Sequence, residues 1–372
     1  MQHFIDLSTL DRRSKEKLLE VAAEMIPVAG RRTDVAAGKI LATLFYEPST
    51  RTRLSFESAM LRLGGRWLGF ADAKAASVAK GESLADTIRT VDKYADIIAI
   101  RHPAEGAALA ASLYSDVPII NAGDGGHLHP SQTLLDMLTI RQELGRLNAL
   151  TVVLVGDLRY GRTASSLALA MADFRPYIIT VTPEGLELPR HIYRRLRVDM
   201  GINVTETRDL QEAARAADVL YVTRVQRERF FSDEEYQAVR GSYVVDERLV
   251  ESMPPGSIVL HPLPRVDEIS AGVDGTEKAR YFKQMFYGIP ARMALIAILL
   301  GLEEVELTCI EPEREEVGVE CRNPRCVTKT EPYLPRYFSR VAGRTDPLFG
   351  GEVAGVFRCA YCDYEVGGSA SK

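Results

Sequence analysis

Seven short runs in the first 300 residues are apolar at odd and even positions alike: 40–46, 97–100, 117–120, 151–156, 178–182, 219–223 and 258–260. A strand with one face in water alternates polar and apolar side chains. A run rich in Val, Ile and Leu without that alternation is covered on both faces. Helical periodicity fills the intervals at 84–94, 132–143, 163–173 and 210–217. Strand–helix alternation of this kind builds βαβ units and parallel sheets. The predicted fold class is therefore α/β, with two doubly wound parallel-sheet domains and a small C-terminal β module. The expected limits are 1–135 for the first domain, completed by the returning apolar segment in 285–302, then 136–284 for the second. The small module takes 303–366, and 367–372 reads as a disordered tail.

Composition sharpens the picture mainly at the C-terminus. The chain has 372 residues and five cysteines, all at or after Cys309. The spacing Cys321-x4-Cys326 followed by Cys359-x2-Cys362 supplies two close thiol pairs across a loop. Four thiolates make a closed tetrahedral site, which predicts a structural zinc (Zn2+) in a zinc-ribbon-like fold and no metal for catalysis. A module this small needs such a staple and loses its fold without it. Cys309 is left over and reads as structural.

Net charge is -5, and Lys and Arg nearly balance Asp and Glu after residue 308. That excludes the basic face nucleic acid requires. No apolar run approaches the roughly 18 residues of a membrane span. The opening Met-Gln-His-Phe-Ile-Asp lacks the pattern of an export signal, so a cytoplasmic location is expected.

The chemistry concentrates where strands end. After 40–46 comes Phe45-Tyr-Glu-Pro-Ser-Thr-Arg-Thr-Arg-Leu-Ser-Phe-Glu57. Pro48 and Ser49 suit a helix start, which puts Ser49, Thr50, Arg51 and Thr52 at a helix N-terminus where backbone N–H groups favour an anion. A capped surface helix with stray arginines is the alternative. Arg101 follows 97–100, the end of a parallel strand where α/β ligands bind. The Gly-rich loop 121–133 carries His127, His129 and Gln132. The two histidines, two residues apart with no third ligand, do not make a metal site.

Arg159 and Arg162 follow 151–156, and Arg224 and Gln226 follow 219–223. Two arginine-bearing loops on one sheet suit a dicarboxylate, since each guanidinium grips one carboxylate. Surface ion pairing is the other reading. Ser77 and Lys80 lie in a small-residue loop that alone reads as a solvated linker. Gly156 opens no G-x-G-x-x-G, so a dinucleotide is not indicated.

Ser-Thr-Arg-Thr-Arg (49–53), Ser-x-x-Lys-Gly-Glu (77–82), His-Pro-Ser-Gln-Thr (129–133) and His-Pro-Leu-Pro-Arg (261–265) occur in this order. They resemble the aspartate and ornithine carbamoyltransferase family over nearly the whole chain. The resemblance implies that Ser49, Thr50, Arg51 and Thr52 hold the phosphate of carbamoyl phosphate, with Arg101. Thr52, Arg101 and His129 would be catalytic at the carbonyl oxygen. Gln132 and the backbone carbonyls of Pro262 and Leu263 would take the carbamoyl amine.

By the same resemblance, Arg162, Arg224, Gln226 and Lys80 would bind L-aspartate. Ser77 and Lys80 would reach the phosphate of carbamoyl phosphate from a neighbouring subunit of a homotrimer. Pro262 stands where the ornithine enzymes carry cysteine, which favours aspartate and a place in pyrimidine biosynthesis. The cysteine strings resemble the zinc domain of the family's separate regulatory chain, a means of higher assembly, but the nucleotide-binding domain of that chain has no counterpart here. The rival readings are transfer to another amine such as ornithine, or a non-catalytic assembly or nucleic-acid-binding protein on this fold.

Overall fold

The structure is a computed structural model that describes residues 2–72, 81–225, 232–239, 241–310, 313–341 and 356–367. The first lobe runs α1 (Arg12–Glu24), β1 (Ile40–Phe45), α2 (Thr50–Arg62), β2 (Arg66–Phe70), α3 (Leu84–Val91), β3 (Ile97–His102), α4 (Ala107–Ser112), β4 (Ile119–Asp124) and α5 (Pro130–Leu144). Its sheet is parallel, in the order β2-β1-β3-β4.

The second lobe follows with β5 (Thr151–Val155), α6 (Arg162–Met171), β6 (Tyr177–Val181), α7 (Arg190–Arg194), β7 (Asn203–Thr207), α8 (Leu210–Ala216), β8 (Val219–Val222), α9 (Asp233–Val239), α10 (Glu247–Ser252), β9 (Ile258–Leu260) and α11 (Tyr281–Leu299). Its sheet is also parallel, in the order β7-β6-β5-β8-β9.

All seven expected strands are present, and two more join them. β2 and β7 each sit at a sheet edge and are largely solvated. An edge strand has one neighbour and less cover, so it lacks the doubly apolar run of a central strand. α11 starts four residues before the expected 285–302. It packs on α5, α2 and α1, which returns the chain to the first lobe. Among the described residues no helix is long and apolar enough to cross a membrane.

The C-terminal module adds β10 (Glu315–Glu316), α12 (Val327–Thr330), β11 (Tyr337–Val341), β12 (Val356–Cys359) and β13 (Glu365–Gly367), an antiparallel sheet in that strand order. Gly367, expected in the tail, closes β13, and the rest of the tail lies outside the described residues. The ribbon's apolar side, with Val327, Leu334, Phe338 and Tyr361, shares one core with α4 and β3. Gly106 permits that contact. Its φ is +87°, and a Cβ there would lie 2.5 Å from Tyr361.

Glu105 seals the same seam. It accepts from Asn323 Nδ2 at 2.6 Å and pairs with Arg325 Nε at 2.8 Å, while its backbone bonds Arg325 and Val327. The ribbon also reaches the second lobe. Glu365 pairs with Arg194, Asp363 with Arg195 at 3.6 Å, and Arg358 with Asp199 at 3.8 Å.

Candidate active site

Beyond β1 the chain turns through Glu47 and Pro48 into α2. Ser49 is the extended N-cap residue, its side chain makes no cap hydrogen bond, and no acid lies in the first turn. The helix end therefore keeps backbone N–H groups and a hydroxyl for an outside acceptor. His129 stands in the same place before α5 and Gly161 before α6, again with no side-chain cap and no first-turn acid. Elsewhere α1, α3, α8 and α10 are capped by Asp11, Ser83, Asp209 and Asp246.

The starts of α2, α5 and α6 open on one cleft of about 870 Å³ between the lobes, while α4, α7, α11 and α12 also start without a side-chain cap but elsewhere. It gathers Ser49, Thr50, Arg51, Thr52, Arg101, His129, Gln132, Arg162, Arg224, Pro262 and Leu263. Ser77, Lys80 and Gln226 lie outside the described residues. Arg159, considered with Arg162 in the sequence, points away: it donates to the Gly185 carbonyl at 3.2 Å and stacks on Tyr160. Arg53 pairs with Glu57 at 3.4 Å.

Glu47 is the one carboxylate among the described lining residues, against Arg51, Arg101, Arg162, Arg224 and Arg292. Its Oε2 lies 2.8 Å from Arg101 and 3.9 Å from Arg162. Arg162 also donates to the Gly125 carbonyl, and Arg51 donates to the Leu263 carbonyl at 2.8 Å. Burial, with the nearby Arg224 charge, lowers the Arg51 pKa. Burial lowers that of Arg101 too, with Glu47 opposing. Guanidinium groups stay charged through such shifts, so the cleft attracts anions. Gly123 makes room for it: φ is +119°, and a Cβ would sit 3.1 Å from Arg162 and 3.2 Å from Arg101.

His129 is 5 % exposed. Burial, then the charges of Arg162, Arg101 and Arg292, hold its imidazole well below the ordinary value. The ring is neutral at physiological pH and carries one N–H. Its Nδ1 faces Ser131 Oγ at 3.5 Å, which leaves Nε2 for the cleft.

Sequence reasoning missed Glu47 and Arg292 as lining residues. The one signal for Arg292 is that it is the lone charge in an apolar run, and it is buried and donates to Ser55 Oγ at 3.1 Å. Reasoning also left His127 without a role. Its ring bridges Asp124, at 3.1 Å, and Asp363 of the ribbon, at 3.3 Å.

Cys321, Cys326, Cys359 and Cys362 are buried, and their sulfurs lie within 4.8 Å of one another. The pairs Cys321–Cys362 and Cys326–Cys359 stand 3.5 and 3.8 Å apart. A disulfide needs about 2.05 Å. A tetrahedron with metal–sulfur bonds of about 2.3 Å has edges of about 3.8 Å. The cluster can hold a metal ion, while Cys309 lies apart, bridged to Leu10.

Two parallel-sheet lobes that meet at a cleft of cations and open helix ends define an α/β enzyme for small anionic substrates. Residues 2–142 match the family model for the aspartate/ornithine carbamoyltransferase carbamoyl-P binding domain, and residues 148–299 match that for its Asp/Orn binding domain. The chain is 56% identical over 269 residues to the aspartate carbamoyltransferase catalytic subunit of Thermococcus gammatolerans, covering 72% of this chain and 87% of that one. To the subunit of Thermococcus kodakarensis it is 51% identical over 300 residues, 80% and 96% of the two chains.

Among solved structures, the catalytic subunit of M. jannaschii aspartate transcarbamoylase superposes with a TM-score of 0.76 at 49% identity, covering 82% of this chain and 100% of that one. The Trypanosoma cruzi enzyme in complex with carbamoyl phosphate and aspartate gives 0.74 at 37% identity, covering 79% and 94%. The chain belongs to the aspartate/ornithine carbamoyltransferase family.

Proposed function

We propose that this chain has aspartate carbamoyltransferase activity, moving the carbamoyl group of carbamoyl phosphate to the amine of L-aspartate in de novo pyrimidine biosynthesis. The observation that carries this is the meeting of α2's open N-terminus, Arg101 and His129 with Arg162 and Arg224 in one cleft. The first group suits phosphate and the carbonyl oxygen, and the second a dicarboxylate. The aspartate amine attacks the carbonyl carbon, the bond to phosphate breaks, and the departing phosphate takes the amine proton. Negative charge on the carbonyl oxygen meets Thr52, Arg101 and neutral His129. Removing one such donor typically costs about 2.7–4 kcal/mol.

The lobes act as a carbamoyl phosphate domain (1–135 with 285–302) and an aspartate domain (136–284), and 303–366 is a regulatory-like module in which the four thiols hold a structural Zn2+. The working unit is a cytoplasmic homotrimer in which Ser77 and Lys80 serve a neighbour's cleft. Leu54, Leu61 and Trp67 on α2 and β2 are exposed, an apolar face that a second copy would cover.

The test is formation of carbamoyl aspartate with aspartate, ornithine and other amines offered in turn. Aspartate alone should react, and Arg224→Ala should raise its KM at least about tenfold. An unchanged aspartate response in that variant overturns the substrate assignment.

A further inference from the structure

Beneath the cleft lies a carboxylate that the reaction above does not use. Asp136 on α5 is fully buried. Its Oδ1 accepts from Gln132 Nε2 at 2.8 Å and from Gln284 Nε2 at 2.6 Å, and its Oδ2 accepts from the Tyr221 hydroxyl at 2.8 Å. Burial pushes its pKa up to about 7 against the pull of these donors. Ionised or protonated on Oδ2, it presents the same accepting Oδ1 to both glutamines.

That oxygen fixes which way two amides face. Gln132 turns its amide nitrogen to Asp136, so the acceptor it can offer the cleft is its carbonyl oxygen. Gln284 likewise turns its Oε1 outward, where it accepts the His261 backbone N–H at 3.0 Å. His261 in turn orders the next residues. Its Nδ1 accepts from Leu263 N at 2.8 Å, while Nε2 faces Glu268 Oε1 at 2.7 Å. Pro262 and Leu263 thereby line the cleft, where the Leu263 carbonyl accepts from Arg51 at 2.8 Å and, like any carbonyl, carries a second lone pair.

We infer that Asp136 is a positioning residue that makes this cleft select an amine-bearing acyl phosphate over its methyl analogue, by anchoring Gln132 and, through Gln284 and His261, the Pro262–Leu263 turn as hydrogen-bond acceptors. A carbamoyl NH2 satisfies such acceptors and an acetyl CH3 leaves them bare. The inference rests on the carbamoyl phosphate reading above and concerns how that substrate is told apart.

Carbamoyl phosphate and acetyl phosphate are alike in shape and charge and differ at this one group. Their dissociation constants, measured by titration calorimetry on the full-length holoprotein, give a selectivity ratio that does not depend on turnover. Asp136→Ala should shrink the ratio by about tenfold or more, through weaker carbamoyl phosphate binding with acetyl phosphate little changed. Asp136→Asn should keep the ratio within about twofold, because its oxygen can still accept both glutamine amides while its NH2 turns to Tyr221. Adding Gln132→Ala to Asp136→Ala should cost less than Gln132→Ala alone, the mark of a shared pathway.

Equal weakening of both ligands in Asp136→Ala would reduce the residue to a structural one and overturn the inference, as would a wild-type ratio near one. If Asp136→Ala does not fold, Gln284→Met cuts the link to His261 and should lower the ratio, and an unchanged ratio there counts equally against it. A wild-type protein that shows the selectivity but forms no carbamoyl aspartate sinks the functional reading alone.

Discussion

The cleft and the seam under the ribbon are equally crowded with charge and differ in how it is balanced. In the cleft five guanidinium groups face Glu47. At the seam each acid meets its bases at short range: Glu105 with Arg325, Asp363 with His127 and Arg195, Glu365 with Arg194 and Arg358. Surplus charge held in place is a standing demand for a ligand, whereas matched charge holds parts together. The two regions should therefore respond to damage in opposite currencies, turnover in one and integrity in the other.

The largest effect belongs to the cleft. Arg51→Ala should lower kcat/KM by roughly 100- to 1000-fold, as loss of a transition-state donor does. Its melting temperature should stay level or rise, since a repelled cation has gone. A large loss of stability there would blur the contrast. Next comes the ribbon. On the proposed zinc site, a chelator should release one zinc per chain and open the ribbon to protease, with the lobes' circular dichroism largely kept. A ribbon that stays resistant would mean that its share of core with α4 and β3 suffices without metal. The smallest effect is at the seam itself. Asp363→Ala should destabilise by about 1.5–3 kcal/mol, the worth of hydrogen bonds to charged groups, read as a lower melting temperature. Loss of turnover at saturating substrate, with no loss of stability, would place Asp363 in the wrong region.

What the sequence disclosed follows the same physics. The central strands were legible because double-sided burial leaves one unmistakable composition. β2 and β7 were not, because Arg66-Trp-Leu-Gly-Phe70 and Asn203-Val-Thr-Glu-Thr207 are written for half-solvated edges. The residues expected to meet the two substrates cluster in short strings beside strand ends, so eleven of the fourteen could be followed to the cleft, and Ser77, Lys80 and Gln226, outside the described residues, could not. Residues that act by holding others were hidden. Asp136, Gln284 and Tyr221 come from three distant elements and meet only after folding. The signal available was an acid within Pro130–Ile140, a stretch buried at every position, and a lone arginine in α11. Each polar residue in such company needs a partner, and the partner is the information that sequence order withholds.

The ribbon grips Glu105 and His127 on one lobe and Arg194, Arg195 and Asp199 on the other, on the far side of the 125–129 loop from the cleft. Rotations that spread the lobes along that edge must break the ion pairs the ribbon makes with both, so the ribbon braces one side of the lobe junction from outside both sheets.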